Sequence, residues 1–381
     1  MTRFDFPAPS RSEAEEALRA EVRSFLATEL TNARAIDRAP SWSGFDASFS
    51  RKLGARGWIG MTWPRRYGGR EASFLERYVV LEELLAAGAP VAAHWIADRQ
   101  SGPLLLRYGT EAQREAILPR IAAGECFFCI GMSEPDSGSD LAATRTRARP
   151  VEGGWRVSGA KLWTTYAHKS HYMILFCRTS DEGERNKGLS QFLVEMTTPG
   201  VTVRPVCDIS GAHHFNEVHF DDVFLPADTL LGTPGQGWAQ VMNELAFERS
   251  GPERFLSSFT LMDEFSKVVR AEPTSGGTEA VGRFVAHLVT LRRLSRSVAT
   301  RLQAGADPTL EAALVKDLGA LLEQDTPEIV RRHVAAEPSA EAPDDFAQAL
   351  AWTIQNAPAF SLRGGTREIL RGIIARGLGL R

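Results

Sequence analysis

Two short segments hold small polar and aromatic residues that could bind a ligand, and one helical stretch holds a carboxylate that could move a proton. Residues 131–140 read Gly-Met-Ser-Glu-Pro-Asp-Ser-Gly-Ser-Asp, and residues 159–165 read Gly-Ala-Lys-Leu-Trp-Thr-Thr. A loop of this composition offers backbone N–H groups and hydroxyls to the nitrogen and oxygen atoms of a ligand. Glu248 lies in a stretch with helical periodicity, and a carboxylate in a dry pocket can act as a general base because burial raises its pKa. The sequence therefore predicts a binding loop and a candidate acid–base residue.

Other reactive residue types occur in patterns that favour structural roles. Cys126 and Cys129 form a Cys-x-x-Cys pair inside an apolar, strand-like run, and no histidine cluster completes a zinc site, so we expect inert, buried thiols and no metal. Residues 232–237 lack the Gly-x-Gly-x-x-Gly register of a dinucleotide-binding loop. His168 and His171 have no neighbouring metal ligands, so solvated or core positions are expected for both.

The composition is that of an ordinary globular protein. The 381 residues carry a formal net charge of -3, and 24% of them are charged and 43% hydrophobic. This length suggests two or three domains, and the weak charge gives no reason to expect nucleic acid or an anionic membrane as partner. No apolar run approaches the roughly 20 residues of a membrane span, and the first residues lack an apolar signal core. We therefore expect a cytoplasmic location.

Hydrophobic periodicity divides the chain into three parts. Helical spacing begins behind a Ser12-x-x-Glu15 capping box and continues to about residue 122, in runs that include 47–57, 75–87 and 111–123. Between about 125 and 225, β-rich stretches alternate with turn residues, at 155–158, 172–176, 192–194, 201–203 and 218–220. Helical periodicity returns over 236–270, 278–304, 309–335, 344–356 and 365–377.

Helices, then strands, then helices predict an α+β fold. We expect an N-terminal helical domain over 1–123, a central antiparallel β-barrel or β-sheet domain over 124–232, and a C-terminal four-helix-bundle domain over 233–381. This order argues against an α/β dinucleotide-binding fold.

The chain resembles the acyl-CoA dehydrogenase family. Residues 131–140 closely resemble the family's Ser/Thr-Glu-Pro-x-x-Gly-Ser-Asp signature, and residues 159–165 resemble its Gly-x-Lys-x-Trp-Ile/Thr-Thr segment. Three more family-like stretches follow the same order along the chain, at 108–113, 220–226 and 364–369. The resemblance implies a flavoenzyme that uses FAD to desaturate the acyl group of a coenzyme A thioester.

The resemblance also implies residue roles at the cofactor. Met132 and Ser133 would lie on the isoalloxazine ring, and Trp163 and Thr165 would cover the ring face opposite the substrate. Taken alone, Trp163 would be interpreted as a core residue, and the serines and threonines as turn or cap residues.

Three further residues would lie nearer the ends of the ligands. Thr366 and Glu368 would lie near the dinucleotide tail of FAD, and Ser139 would approach the arm of coenzyme A that carries the thioester.

The position of the catalytic base is the most specific prediction. Many family members carry a carboxylate just before the Gly-Thr of the C-terminal motif, but that position is Gly364 here. A second pattern, resembling isovaleryl-CoA and long-chain dehydrogenases, places an acidic-Arg pair on the helix after the β module, which here is Glu248-Arg249. We expect Glu248 to be the base, with Glu244 as the alternative one turn earlier, and Arg249 to contact substrate. Gly364 would leave space for Glu248 and donate its N–H to the thioester oxygen.

Two expected segments are absent. Family members usually carry Arg-x-x-Phe-Gly and Gln-x-x-Gly-Gly segments that reach the FAD of a neighbouring subunit; residues 263–283 and 350–358 contain neither. The chain is therefore expected to be either a homo-oligomer or a heteromer with a paralogous subunit, as in some bacterial steroid-CoA dehydrogenases. The resemblance also implies an electron-transfer flavoprotein, or a similar acceptor, as partner.

The sequence allows more than one acyl group and more than one type of reaction. Residues 94–100 occupy a stretch that resembles the pocket wall of the family, and their polarity favours a branched, cyclic or oxygenated acyl group; alternatively, Asp98 and Arg99 pair at the surface. Other flavin chemistry on the same fold (a monooxygenase, an oxidase or desaturation of a carrier-bound acyl group) remains open. So does a catalytically silent partner subunit.

Overall fold

Helices form both ends of the chain and strands form its middle. The structure, a computed structural model, describes residues 4–8, 12–181, 185–248 and 251–380, with the backbone only at 243–248. The helices, numbered in chain order, are α1 Glu13–Glu29, α2 Ala35–Arg38, α3 Ala47–Ala55, α4 Phe74–Ala86, α5 Ala92–Ile96, α6 Gly102–Tyr108, α7 Glu111–Ala122, α8 Gly237–Glu248, α9 Phe259–Ala271, α10 Ser275–Gln303, α11 Thr309–Arg331, α12 Asp345–Phe360 and α13 Arg367–Gly377. The strands are β1 Phe128–Gly131, β2 Arg147–Val151, β3 Gly154–Lys161, β4 Tyr172–Arg178, β5 Leu189–Glu195, β6 Val201–Val206 and β7 Phe215–Pro226.

The described residues form two compact units. One unit contains the chain up to Asp46, Ala72–Ala92 and the residues from Ala246 onward; the other contains Ala47–Glu71 and Ala93–Leu245. The division into domains at 1–123, 124–232 and 233–381 stays a prediction.

The first unit is helical and is built around α11. This helix packs against α9, α10, α12 and α13, while α1 packs on α4, and α4 packs on α10. Ser12 caps α1 by accepting a hydrogen bond from the Glu15 N–H, and one apolar stripe of that helix, including Val22, is buried.

Buried ion pairs connect α1, α4 and α10 within this unit. Arg19 binds the carboxylates of Glu82 and Glu83, and Arg296 donates to Glu15 at 2.7 Å. Arg292 binds Glu82 from the side of α10. Removing one partner of such a pair would leave an uncompensated buried charge, so the pairs fix how these helices pack.

The second unit contains a single mixed sheet. Its strand order is β1-β4-β2-β3-β7-β6, with β5 pairing β4. The pairs β2–β3, β3–β7, β4–β5 and β6–β7 are antiparallel, as predicted. However, β4 runs parallel to its neighbours β1 and β2, so the prediction of a wholly antiparallel module is wrong at these two pairings. Apolar residues from β3, β4, β5 and β7 form the core under this sheet.

The predicted helix over 236–270 is divided in two. Helix α8 ends at Glu248 and α9 begins at Phe259, and a 3-10 turn over Pro252–Arg254 lies between them. Pro252 has no N–H to continue a helical ladder and Gly251 has low helical propensity, so this sequence interrupts the helix despite its favourable periodicity. The other helical runs of the prediction each contain a helix.

None of the helices within the described ranges has the length and apolarity required to cross a membrane. Among the thiols, Cys126, Cys129 and Cys177 are buried and Cys207 is exposed. Burial raises the pKa of Cys126 to about 11 and that of Cys129 to about 12, which agrees with inert thiols.

Candidate functional site

The two predicted binding segments meet in the second unit. Leu162 donates its backbone N–H to the Ser133 carbonyl at 2.9 Å, and Lys161 Nζ donates to the Met132 carbonyl at 3.0 Å. Lys161 also pairs with Glu134 at 2.7 Å. The structure thus brings the predicted residues Met132 and Ser133 next to the segment that carries Trp163 and Thr165.

Lys161 and Glu134 form a buried ion pair that stabilises this junction. Glu134 also accepts the backbone N–H groups of Arg145 at 2.7 Å and Thr146 at 3.0 Å. Burial raises the pKa of Glu134, but the charge and hydrogen bond of Lys161 outweigh it and hold the pKa below its usual value. The carboxylate therefore stays ionised and fixes both ends of the 134–146 loop.

Residues 162–166, here called the strap, have an unusual backbone. Trp163 has φ 60° and Tyr166 has φ 51°, the left-handed region that bulky residues rarely occupy. The Trp163 side chain is 55% exposed and its ring meets Phe215 edge-on at 5.7 Å. Strain of this kind persists only where the surroundings over-determine it, and it concentrates at ligand sites.

The composition of this junction fits an isoalloxazine ring. An exposed indole on a fixed backbone, with the half-buried Thr165, Met132 and Ser133 beside it, supplies an aromatic surface, hydroxyls and an adaptable thioether. Met132 packs on the buried cluster of Phe176, Leu189 and Val241, which limits its movement.

Ser139 lies at the exposed end of the signature loop. Glu134 and Ser137 close a tight turn through reciprocal backbone hydrogen bonds of 2.7 and 3.1 Å, and Ser137 Oγ donates to the Asp140 carbonyl at 2.7 Å. Ser139 follows this turn and is exposed to solvent.

The C-terminal motif lies in the first unit, in residues 362–366, here called the C-terminal turn. Gly364 has φ 69° and Gly365 has φ 98°, so both positions favour glycine. Thr366 caps α13 by accepting the Ile369 N–H at 3.5 Å. Glu368 is exposed, and hydrogen bonds from its own backbone N–H and then from the Thr366 side chain lower its pKa.

A buried charge anchors the C-terminal turn. Arg363 Nη2 donates to Glu323 Oε2 at 2.8 Å and to the Glu253 carbonyl at 3.1 Å. Glu323, which is fully buried on α11, also accepts the Ser257 N–H at 2.8 Å. The Arg363 guanidinium lies 4.1 Å from the ring centroid of Trp42. One carboxylate thus fixes both the chain after α8 and the chain before α13.

Glu248 is the last residue of α8, and its side chain lies outside the described atoms. The same holds for the Glu244 side chain, and Arg249 lies outside the described residues. The predicted roles of these residues stay predictions.

The segment predicted to line the acyl pocket is buried. Asp98 is 6% exposed and Arg99 is 4% exposed, so the alternative of a surface ion pair is wrong. Asp98 accepts the Gly60 N–H at 2.7 Å, and the Arg99 guanidinium lies 4.4 Å from the Trp95 ring centroid. Both residues belong to a π-helical turn over Ala97–Ser101, an irregularity that is frequent at functional sites.

The two histidines have structural partners. His168 Nδ1 lies 3.1 Å from Asn216 Oδ1, and His171 Nδ1 accepts the Phe127 N–H at 3.0 Å. Within the described residues, no group of three or more His, Cys, Asp or Glu side chains is placed to hold a metal ion.

The family assignment follows from models of its domains. Residues 12–125 match the acyl-CoA dehydrogenase N-terminal domain and residues 129–223 match its middle domain. Acyl-CoA dehydrogenase FadE29 of Mycobacterium tuberculosis is 30% identical over 95% of each chain. The chain belongs to the acyl-CoA dehydrogenase family, whose members bind FAD.

A second relative and a solved structure are also similar to this chain. Acyl-CoA dehydrogenase IpdE1 of M. tuberculosis is 37% identical over 61% of this chain and 63% of its own length. A solved structure described as the Tcur3481-Tcur3483 steroid ACAD has a TM-score of 0.86 at 25% identity and covers 99% of both chains. The chain matches 45% to 64% of the length of the first three curated relatives.

These findings confirm the predicted family, α+β fold class and cofactor. The sequence did not predict three groups that hold the site residues in place: the Lys161–Glu134 pair, the Arg363–Glu323 pair and Asn216. Lys161 and Glu134 occur inside the recognised motifs, so their pairing was open to inference. The other partners are separated by 40 or more residues and share no motif.

Proposed function

We propose that the chain catalyses FAD-dependent α,β-dehydrogenation of an acyl-CoA thioester. The observation that carries the proposal is the junction between the signature loop and the strap, where a buried ion pair and a backbone hydrogen bond fix the residues that suit a flavin ring. Family membership supports the same chemistry.

Bound FAD supplies the hydride acceptor at its N5 atom. In this proposal Met132, Ser133, Trp163 and Thr165 hold and cover the ring. Thr366 and Glu368 lie toward the dinucleotide tail; the helix-capping position of Thr366 leaves it a structural role as well.

Glu248 is proposed to remove the Cα proton. A carboxylate at residue 364 would compete for this task, and the left-handed backbone there supports its absence, because a glutamate at φ 69° would be strained. The Gly364 N–H is proposed as the donor to the thioester oxygen, a role typically worth about 3–4 kcal/mol as enolate charge develops. Ser139 and Arg249 are proposed to contact the coenzyme A portion of the substrate.

The deciding experiment is anaerobic reduction of bound flavin by a panel of CoA esters. Reduction by at least one ester is expected, with a product that carries an α,β double bond. Glu248→Gln should abolish both reduction and exchange of the Cα proton with solvent, while Glu244→Gln, which tests the alternative base one turn earlier, should retain both. Unchanged exchange in Glu248→Gln would remove the assignment of the base.

The same assay separates the alternatives. An oxygenase or oxidase on this fold should leave its flavin oxidised when mixed with a thioester under nitrogen. A carrier-protein enzyme should respond to the acylated carrier but not to CoA esters, and a silent partner subunit should respond to neither.

We also propose that the chain functions with a paralogous subunit. Support comes from the two absent FAD-contact segments and from the similarity to the Tcur3481-Tcur3483 steroid ACAD, which is named for two proteins. The same similarity to a steroid ACAD favours a bulky cyclic acyl group here. The chain alone should bind FAD weakly and bind it fully with the paralogue; a pure homo-oligomer with full flavin occupancy would contradict this. An electron-transfer flavoprotein is the proposed electron acceptor.

A further inference from the structure

Asn216 holds the strap at its midpoint. It is fully buried at the start of β7, its backbone carbonyl accepts the Thr164 N–H at 3.0 Å, and its Nδ2 donates to the Thr164 carbonyl at 3.0 Å. One residue therefore binds both the N–H and the carbonyl of Thr164. Trp163 and Thr165, the proposed flavin-covering residues, are the immediate neighbours of Thr164.

The ends of the strap are fixed as well. Leu162 donates to Ser133, and Tyr166 donates its N–H to the His214 carbonyl at 2.8 Å. The first, middle and last N–H groups of the strap are thus all used in hydrogen bonds. The strained conformation depends on these bonds, since without them Trp163 would relax to an ordinary backbone conformation.

Two imidazoles fix the orientation of the Asn216 amide. His213 Nε2 lies 2.8 Å and His168 Nδ1 lies 3.1 Å from Asn216 Oδ1. A carbonyl such as that of Thr164 only accepts, so Nδ2 must face it, and Oδ1 must face the imidazoles. Both histidines must therefore carry a proton on the nitrogen that faces Asn216.

The two imidazoles also support each other. Their centroids lie 3.9 Å apart and their planes are within 16° of parallel. The neighbouring His214 is held by Asp208, with 3.1 Å between His214 Nδ1 and Asp208 Oδ2. The Asn216 amide therefore accepts from His168 and His213 through Oδ1 and donates to the Thr164 carbonyl through Nδ2.

We propose that Asn216 is a positioning residue for flavin binding, which acts by holding Thr164 and so fixing Trp163 and Thr165, and that His168 and His213 keep its amide in the required orientation. The inference depends on the proposed flavin role of the strap. Asn216 itself is proposed to touch neither cofactor nor substrate.

The test compares Asn216→Asp with Glu217→Gln. The introduced carboxylate keeps the size of the asparagine side chain and can still accept from both imidazoles, but when ionised it cannot donate to Thr164, and it places negative charge against a carbonyl. Glu217 is the adjacent residue on β7, pairs with His219 at 2.9 Å and serves as the control. Hydrogen exchange of peptides that cover 162–166 and the FAD dissociation constant are measured on the full chain, with its paralogue present if flavin binding requires it.

In Asn216→Asp we expect strap amides to exchange about tenfold faster or more, the size expected for loss of one buried hydrogen bond. We expect FAD to bind more weakly by a similar factor, with a changed flavin absorbance spectrum. Glu217→Gln should stay within about twofold of wild type in both measurements. Exchange and FAD affinity that are unchanged in Asn216→Asp would overturn the proposal.

A second pair of variants keeps the test valid if Asn216→Asp does not fold. His213→Gln retains an N–H donor and should preserve exchange protection and FAD affinity, whereas His213→Leu removes the donor and should weaken both. Equal behaviour of these two variants would contradict the role of the imidazoles. If wild-type chain and paralogue bind no FAD, the proposed function fails, but hydrogen exchange of the strap still decides whether Asn216 positions it.

Discussion

The strap and the C-terminal turn both contain two residues with left-handed backbone, but they differ in the residue types at those positions. The strap has Trp163 and Tyr166 there, and the turn has Gly364 and Gly365. Bulky residues in this region cost of order 1–3 kcal/mol each, whereas glycine adopts it freely. The strap is therefore a strained element and the turn is a relaxed one.

The two elements also differ in what holds them. Neutral hydrogen bonds from loop and strand hold the strap along its length, and a buried ion pair holds the turn at Arg363. A strained segment needs several hydrogen bonds to hold it, and a neutral group of similar geometry can substitute for each of them. A relaxed segment needs fewer contacts. The main contact of the turn is the Arg363–Glu323 ion pair, so loss of one partner leaves the other charge buried and uncompensated. The comparison predicts different responses to mutation and to pH.

The largest effect should follow removal of the charge that anchors the turn. In Glu323→Gln the Arg363 guanidinium loses its carboxylate in a buried setting, so the free energy of unfolding should fall by about 3–5 kcal/mol. Urea denaturation measures this. Glu328→Gln on the same helix removes an exposed pair with Arg331, and it should change stability by less than about 1 kcal/mol. Similar losses in the two variants would refute the anchoring role of Glu323.

A smaller loss should follow from placing a side chain on a left-handed glycine of the turn. Gly365→Ala at φ 98° should cost about 1–3 kcal/mol, because an L-residue is strained there. Gly282→Ala on α10 is the control of opposite sign, since a Cβ at that position meets no atom within 4 Å and alanine favours a helix by up to about 1 kcal/mol. Thermal unfolding of both variants compares them, and a Gly365→Ala protein as stable as wild type would show that the turn is not constrained to this conformation.

The smallest effect should be a response of the strap to acid. Burial and then the neighbouring His213 lower the pKa of His168, with Lys169 and His214 acting in the same direction against the hydrogen bond of Asn216. The folded state thus binds fewer protons than the unfolded state below the ordinary histidine pKa of about 6.5, and this contribution to stability is complete above that pH and is lost as pH falls through the lowered pKa. The effect is small because His168 is only partly desolvated and keeps much of its contact with solvent.

Hydrogen exchange between pH 7.5 and 5.5, corrected for intrinsic rates, measures this response. Strap amides should lose protection at the lower pH and amides of the C-terminal turn should not, because arginine stays charged throughout. His168→Gln should reduce the response of the strap. Equal changes in both elements would indicate general acid loosening and not a local cause.

The sequence predicted the helices and strands better than the pairing between strands. Each β-rich stretch between 155 and 220 lies in a strand, because alternation of apolar and polar residues is a local signal. The strand-like run around Cys126 and Cys129 indicated β1, but the short strand β2 was not predicted. The parallel pairings of β4 with β1 and with β2 were not predicted either, since periodicity does not identify the neighbouring strand. The break after α8 was missed because helical periodicity outweighed the Gly251-Pro252 signal.

The candidate site shows the same contrast between residues found in local motifs and partners that are distant in the chain. Motif resemblance predicted flavin contacts for Trp163, Thr165, Met132 and Ser133, whose two segments the structure brings to one junction. It could not identify Asn216, which lies outside the motifs and acts through hydrogen bonds to residues far away in the chain. Such long-range hydrogen bonds leave no local pattern in the sequence, in contrast to the Lys161–Glu134 pair, whose members both lie within motifs.

The distribution of thiols gives this protein a natural labelling position. Burial raises the pKa of Cys177 to about 12, as it does for Cys129, so at neutral pH these sulfurs remain protonated and shielded from electrophiles. Cys207, by contrast, is exposed on the segment between β6 and β7 that leads into the histidines around Asn216. A maleimide dye should therefore attach at Cys207 alone among the four thiols of the folded chain, and its emission would report in real time on the segment that supports the strap.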